Sequence, residues 1–169
     1  KSLNEFLTKA KTKAWYKNTV FVIMSDHCGF SAGRTEINVK NHHIPAFITN
    51  LKNQEPVKID KLSSQIDIFP TLFGYLNWSY NTNLFGTDIN KMNPKDERAF
   101  IGNHRKVGLL KKGKLLLLET NKRHKSYRWN KEKNEIAPTK TDSLFLNETI
   151  SYYQAAFDLF KKGKLKVKN

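Results

Sequence analysis

The chain has 169 residues, of which 38% are hydrophobic, 12% aromatic and 27% charged, enough apolar material to bury one sizeable core and too much for disorder throughout. Charge is lopsided: residues 1–90 carry 10 basic and 7 acidic side chains, whereas residues 91–169 carry 20 and 8. That surplus attracts anionic partners without choosing among nucleic acid, lipid headgroups and phosphate substrates. Aromatics do not interleave the basic clusters, which disfavours a single-strand nucleic-acid binder. The one cysteine, Cys28, excludes an internal disulfide and any multi-cysteine metal site. The apolar runs Val20 to Met24 and Leu115 to Leu118 are far shorter than the roughly 20 residues that cross a bilayer.

Leu3, Phe6, Leu7, Ala10 and Ala14 recur at helical spacing, and Ser2 with Glu5 fits a capping box, so residues 2–16 read as an amphipathic helix. Thr19 to Met24 is apolar on both faces and suits a buried parallel strand, which points to an α/β sheet. A polar, glycine-containing loop spans 25–42. A second strand follows over Ile44 to Ile48, with Pro45 at its start or on an edge because it has no ladder donor. Ser64 and Asp67 offer another capping box for a helix over 64–77 that packs on the sheet, with Pro70 tolerable only near the first turn.

From Asn77 to Pro94 the chain is Asn-rich and irregular. Short β-like pieces then follow at Ala99 to Gly102, Val107 to Leu110, Leu115 to Glu119 and Tyr127 to Trp129, with Gly113 marking a hairpin turn. An antiparallel meander is the expected second unit, closed by a helix over Thr149 to Lys162 with Gly163 as its stop. The division is therefore 1–94, an α/β portion, and 95–169, a small antiparallel subdomain with a closing helix and basic tail.

The segment that carries chemistry is Ser25-Asp26-His27-Cys28-Gly29, immediately after the first strand. In open α/β sheets ligands bind beyond the carboxyl ends of strands, and a carboxylate beside an imidazole there suits Zn²⁺ or Mn²⁺. Two ligands make half a shell, and an Asp-His pair taken without context reads first as a surface or hydrogen-bonded structural feature, such as a capping Asp beside a solvent-facing His.

Four blocks in order resemble the sulfatase-like branch of the alkaline phosphatase superfamily, especially membrane-anchored lipoteichoic acid synthase and phosphoglycerol transferase relatives. They are Ala14 to His27; Ser31 to Glu36 followed by His43-Ile44-Pro45; Ser64 to Leu72, which contains an Asp-Ile-x-Pro-Thr-Leu helix; and Arg98 to Gly102 with Val107-Gly108 and Gly113-Lys114-Leu115. The resemblance implies part of a three-layer αβα sandwich with a small C-terminal antiparallel sheet and a closing helix. It implies that Asp26 and His27 ligate one divalent cation, Mn²⁺ or Zn²⁺, or Ca²⁺ in a true sulfatase.

Arg34, eleven residues before Pro45, is spaced like an active-site lysine of some sulfatases, and its guanidinium suits a tetrahedral oxyanion; the competing reading is an exposed loop arginine. His43 matches a family position from which an imidazole donates to an oxygen or protonates a leaving group, against a buried structural histidine. His42 departs from the aromatic residue expected there and is assigned nothing. Cys28 reads as a small packed residue, and Asp67 as a helix cap.

Family enzymes attack with a Thr or Ser, or a formylglycine in sulfatases, and the resemblance implies that this position precedes Lys1, so this chain alone is expected to be inactive. The implied activity is transfer or hydrolysis of a phosphoglycerol or phosphoethanolamine group on a lipid or cell-envelope substrate. The implied partners are an anionic phospholipid or phosphorylated glycan and a membrane surface reached through an N-terminal anchor, on the periplasmic or extracellular side. A sulfatase and a basic nucleic-acid-binding module are the alternatives.

Overall fold

A computed structural model describes residues 1–29 and 37–166. Helix α1 spans Ser2–Lys11, shorter than its apolar periodicity suggests, and a 3₁₀ turn over Ala14–Asn18 carries the rest of that pattern. The Ser2–Glu5 capping box does not form: the Glu5 amide donates to the Lys1 carbonyl instead. Strand β1 (Phe21–Met24) pairs antiparallel with β2 (Ala46–Thr49), so the sheet contact made within the described residues differs from the parallel pairing the sequence suggests. Phe6, Trp15 and Tyr16 gather around Phe21 at ring-centroid distances of 5.9, 6.3 and 5.7 Å, which ties α1 and the 3₁₀ turn to the strand. Pro45 directly precedes β2, where its missing N–H costs no ladder bond.

A 3₁₀ turn over Gln65–Asp67 leads into α2 (Ile68–Tyr75), and the Ser64–Asp67 capping box is formed in both directions. Pro70 falls in the first turn of α2, where its absent donor would have had no intrahelical partner.

Five strands then make an antiparallel meander in sequence order: β3 (Ala99–Asn103), β4 (Lys106–Lys111), β5 (Lys114–Leu118), β6 (His124–Asn130) and β7 (Glu135–Pro138). The β4–β5 hairpin turns through Lys112 and Gly113, both at positive φ, the geometry that matches the twist of two-residue hairpins. Helix α3 (Ser143–Lys161) starts six residues earlier than its apolar pattern announces, because the Asp142 side chain accepts from the Leu144 and Phe145 amides.

The leucine runs of β4 and β5 do not alternate with polar residues, and the structure shows why. Leu110, Leu115 and Leu117 face a cluster with Ile37, Val39, Ile101 and Tyr127, while Leu109 and Leu116 face Phe145 of α3; the central strands are covered on both sides. Gly108 lies between the layers: a Cβ there would come within 2.6 Å of Leu117 Cδ2 and 2.7 Å of the Leu116 carbonyl. The Tyr153 hydroxyl donates to the Gly108 carbonyl at 2.8 Å, and burial pushes its pKa up to about 12.

The joint between α2 and the meander is a buried ion pair. Asp67 is fully buried and Arg98, just before β3, is 3% exposed. Two guanidinium nitrogens donate to the two carboxylate oxygens at 3.0 Å each, and the Ser64 and Thr87 amides complete the carboxylate's shell at 2.8 Å. Burial opposes the charge on Arg98, but the hydrogen bonds and charge of Asp67 outweigh it and hold the guanidinium pKa above its ordinary value. Further bonds sew the same seam: the Phe100 amide to Ser64 Oγ at 2.8 Å, the Arg98 amide to the Leu62 carbonyl at 3.1 Å, and the Ile89 amide to Thr71 Oγ1 at 2.9 Å.

Removing one partner of such a pair strands a buried charge, so Arg98→Met is expected to lower unfolding free energy by about 3–5 kcal/mol in urea melts. Adding Asp67→Asn to that variant removes the stranded charge and should restore part of the loss. A single variant losing less than about 1 kcal/mol would show that the pair is not the joint. Tyr153 supplies a separate test. Its folded pKa lies above the unfolded value of about 10, so its contribution is fully present below pH 10 and is lost as pH rises towards 12. Tyr153→Phe should flatten that part of the stability–pH curve.

Candidate metal site

The β1 strand ends at Met24, and the next residues turn outward. The His27 amide donates to Asp26 Oδ1 at 2.9 Å, which folds the carboxylate back over its own backbone. Asp26 Oδ2 and His27 Nε2 then lie 3.6 Å apart, with the side chains 87% and 77% exposed. This separation is too long for a hydrogen bond. It does match two donors sharing one ion, since ligands about 2.0–2.2 Å from a cation, subtending a tetrahedral or slightly wider angle, sit roughly 3.3–3.8 Å apart.

The far nitrogen of the ring supports the same use. His27 Nδ1 lies 2.9 Å from the Cys28 carbonyl, which can only accept, so in the neutral form of the ring the proton sits on Nδ1 and Nε2 is the nitrogen with the lone pair. Backbone carbonyls in this position commonly orient metal-bound histidines. The Cys28 carbonyl first, and the Asp26 carboxylate second, hold the His27 pKa above its ordinary value. Among the described residues no group of three or more His, Cys, Asp and Glu side chains converges, so an ion at this loop would find two such donors there.

The loop is fixed from below by a residue to which sequence reasoning gave no role. Gln65 Nε2 donates to the Ser25 carbonyl at 2.7 Å and to the Asp26 carbonyl at 3.0 Å. Gln65 belongs to the 3₁₀ turn that ends in Asp67, so the buried pair with Arg98 and the Asp–His loop share one rigid turn. The signal was present in the Ser64 to Leu72 block, but an exposed Gln among cap residues reads as surface.

Arg34 lies outside the described residues. His43 is exposed and neighbours Asp60, whose carboxyl is held below its ordinary range by Lys58 first and by the charges of Lys131 and His43 after it. The structural histidine of this segment is instead His42: Nδ1 lies 2.8 Å from the Asn38 carbonyl and Nε2 lies 3.3 Å from that of Gly102, pinning residues 38–42 to β3. Cys28 is half-buried and unpaired by any disulfide. A concavity of about 320 Å³ lies beside Arg98 and Tyr152 and is not lined by Asp26, His27 or His43.

Comparison with known proteins finds relatives of this chain. The Sulfatase family profile matches residues 1–78. The lipoteichoic acid synthase-like protein YvgJ of Bacillus subtilis (strain 168) is 30% identical over 105 residues, covering 52% of this chain and 17% of that protein. A crystal structure of a protein in the alkaline phosphatase superfamily from Vibrio parahaemolyticus superposes with a TM-score of 0.89 at 26% identity, covering 98% of this chain and 41% of the other. The chain thus spans less than half the length of either relative, and its α/β architecture with a small sheet and closing helix is that of the superfamily.

Gln65→Ala is expected to leave global stability within about 1 kcal/mol, because the side chain is exposed, while raising amide hydrogen exchange across residues 25–28. Unchanged exchange there would mean the loop is held by other contacts.

Proposed function

We propose, from the Sulfatase profile over residues 1–78 and the likeness to an alkaline phosphatase superfamily structure, that the chain is the C-terminal part of a sulfatase-like, metal-dependent phospho-group transferase or phosphodiesterase acting on lipid or cell-envelope substrates. The observation that carries the reading is the paired presentation of Asp26 Oδ2 and His27 Nε2 at 3.6 Å on a loop braced by Gln65. The similarity to a lipoteichoic acid synthase-like protein supports a phosphoglycerol or related phosphodiester substrate and a place at the cell envelope. Among the described residues no helix is long and apolar enough to cross a membrane.

In this reading Asp26 and His27 hold a divalent cation, Mn²⁺ or Zn²⁺, through one carboxylate oxygen and Nε2. When bound, such an ion supplies charge stabilisation at the phosphoryl oxygens. Asp26 contributes the negative charge and the Cys28 carbonyl keeps the proton on Nδ1, so the ligand nitrogen stays available. His43, exposed and set among Lys58, Asp60 and Lys131, serves as a proton donor to a phosphoryl oxygen or leaving group, and Arg34 as a paired donor to the transferred group. The nucleophile is a threonine upstream of this chain.

One observation favours a second reading. The matching profile over residues 1–78 is that of sulfatases, in which a Ca²⁺-bound formylglycine would replace the threonine and the ester cleaved would be sulfuric.

The test uses the intact protein with bis-p-nitrophenyl phosphate and p-nitrophenyl sulfate as parallel substrates. Phosphodiester cleavage that depends on added Mn²⁺ or Zn²⁺ is expected. Asp26→Ala or His27→Ala should each lower kcat/KM by about 100-fold or more, and His43→Gln by about 10- to 100-fold. Undiminished activity in the Asp26 or His27 variant would refute the assignment, and preference for the sulfate ester would select the second reading.

A further inference from the structure

The chain between α2 and β3 runs over residues 76–98 with two short 3₁₀ turns, Ile89–Lys91 and Pro94–Asp96, as its regular structure. Irregular stretches longer than about 12–15 residues are uncommon in compact domains and, where they are ordered, usually serve a function. This one is tied down along its second half. Lys61 Nζ donates to the Ile89, Asn90 and Met92 carbonyls at 3.1, 3.2 and 2.9 Å, and the Thr87 and Ile89 amides donate to Asp67 Oδ1 and Thr71 Oγ1 at 2.8 and 2.9 Å. The segment so held walls the concavity of about 320 Å³, at the small end of the roughly 300–1,000 Å³ of small-molecule sites.

The lining combines a buried floor with a polar rim. Met92 and Arg98 are buried and Phe85 and Tyr152 half-buried, whereas Thr87, Asn93 and Asp96 are exposed. The Tyr152 ring meets Phe100 edge-on at 5.1 Å, and its hydroxyl is hydrogen-bonded to Arg98, so this wall is preformed. Asn93 and Asp96 bracket the second 3₁₀ turn, the Asp96 amide donating to the Asn93 carbonyl at 2.9 Å, and both side chains line the cavity.

The charges select the ligand. Arg98 is neutralised by Asp67, Lys91 Nζ lies 3.9 Å from Asp88 Oδ2, and Asp96 adds a negative charge, so a phosphate or sulfate gains little attraction here and meets a carboxylate. An apolar ligand would strip water from Thr87, Asn93 and Asp96 without replacing it. A neutral sugar ring satisfies both parts of the lining: its hydroxyls donate to the Asp96 carboxylate and bond with the Asn93 amide and Thr87 hydroxyl, while its C–H surface packs on the aromatic rings.

We propose that the cavity at the joint between α2 and the meander binds one neutral sugar ring, with Asn93 and Asp96 holding its hydroxyls and Phe85 and Tyr152 its C–H surface. The site shares no residue with the Asp26–His27 pair, so the inference goes beyond the proposed activity and does not require it.

The intact protein is titrated with the methyl glycosides of glucose, galactose and N-acetylglucosamine, and binding is followed by saturation-transfer NMR. At least one is expected to bind with a dissociation constant on the order of 1–10 mM, the range open to a ligand of that size. Asn93→Ala and Asp96→Ala, both at exposed positions, should each weaken binding at least about fivefold with circular dichroism unchanged, and Asp96→Asn should weaken it while preserving side-chain shape. Asp26→Ala should leave it unchanged, which separates this site from the metal-site reading. Equal concentrations of glycerol or inorganic phosphate should not displace the glycoside. No transfer to any of the three glycosides well above that range, transfer that survives in the Asn93→Ala/Asp96→Ala variant or is lost in Asp26→Ala, or displacement by phosphate or glycerol would overturn the proposal.

Discussion

The Asp67–Arg98 pair is the constraint on which the rest of the structure hangs. A carboxylate and a guanidinium taken out of water are tolerated only when nearly every lone pair and proton finds a partner, and here the two groups meet bidentately while the Ser64 and Thr87 amides fill the remaining positions on the acid. The pair therefore fixes orientation as much as it stabilises. It sets the start of α2 against the first strand of the meander, and Ser64 and Thr71 add bonds to Phe100 and Ile89 that resist sliding along the seam.

This constraint reaches the candidate metal site through a short route. Asp67 terminates the 3₁₀ turn that presents Gln65, and Gln65 grips the two carbonyls at the root of the Asp26–His27 loop. A solvent-facing loop of five residues would otherwise sample many arrangements of its carboxylate and imidazole. Suspending it from a turn that is locked by a buried ion pair narrows those arrangements, which is what a metal site needs before the metal arrives. The chain spans 17% and 41% of the length of the two relatives.

Much of this was legible in the amino-acid order. The capping box at Ser64 and Asp67, the Pro45 and Pro70 placements, the Gly113 hairpin and the Gly163 stop each follow from backbone chemistry confined to a few residues. The Asp–His pair was readable because it follows directly on an apolar strand. What escaped was non-local. Asp67 reads as a cap and is one, but its second role depends on Arg98, 31 positions away. His42 was given no task because its partners, the carbonyls of Asn38 and Gly102, carry no side-chain signature. Strand β7 was missed since Glu135–Pro138 is short, contains a proline and is defined mainly by its pairing with β6. The antiparallel pairing of β1 likewise belongs to the partner strand and not to its own composition.

The central claim is that an oxygen and a nitrogen at the end of β1 share one cation, and anomalous scattering from crystals of the intact protein soaked in Mn²⁺ tests it most directly. The account predicts a single strong peak within about 2.0–2.3 Å of both Asp26 Oδ2 and His27 Nε2. A fully occupied Mn²⁺ peak elsewhere, with the His27 ring turned away from Asp26, would contradict it.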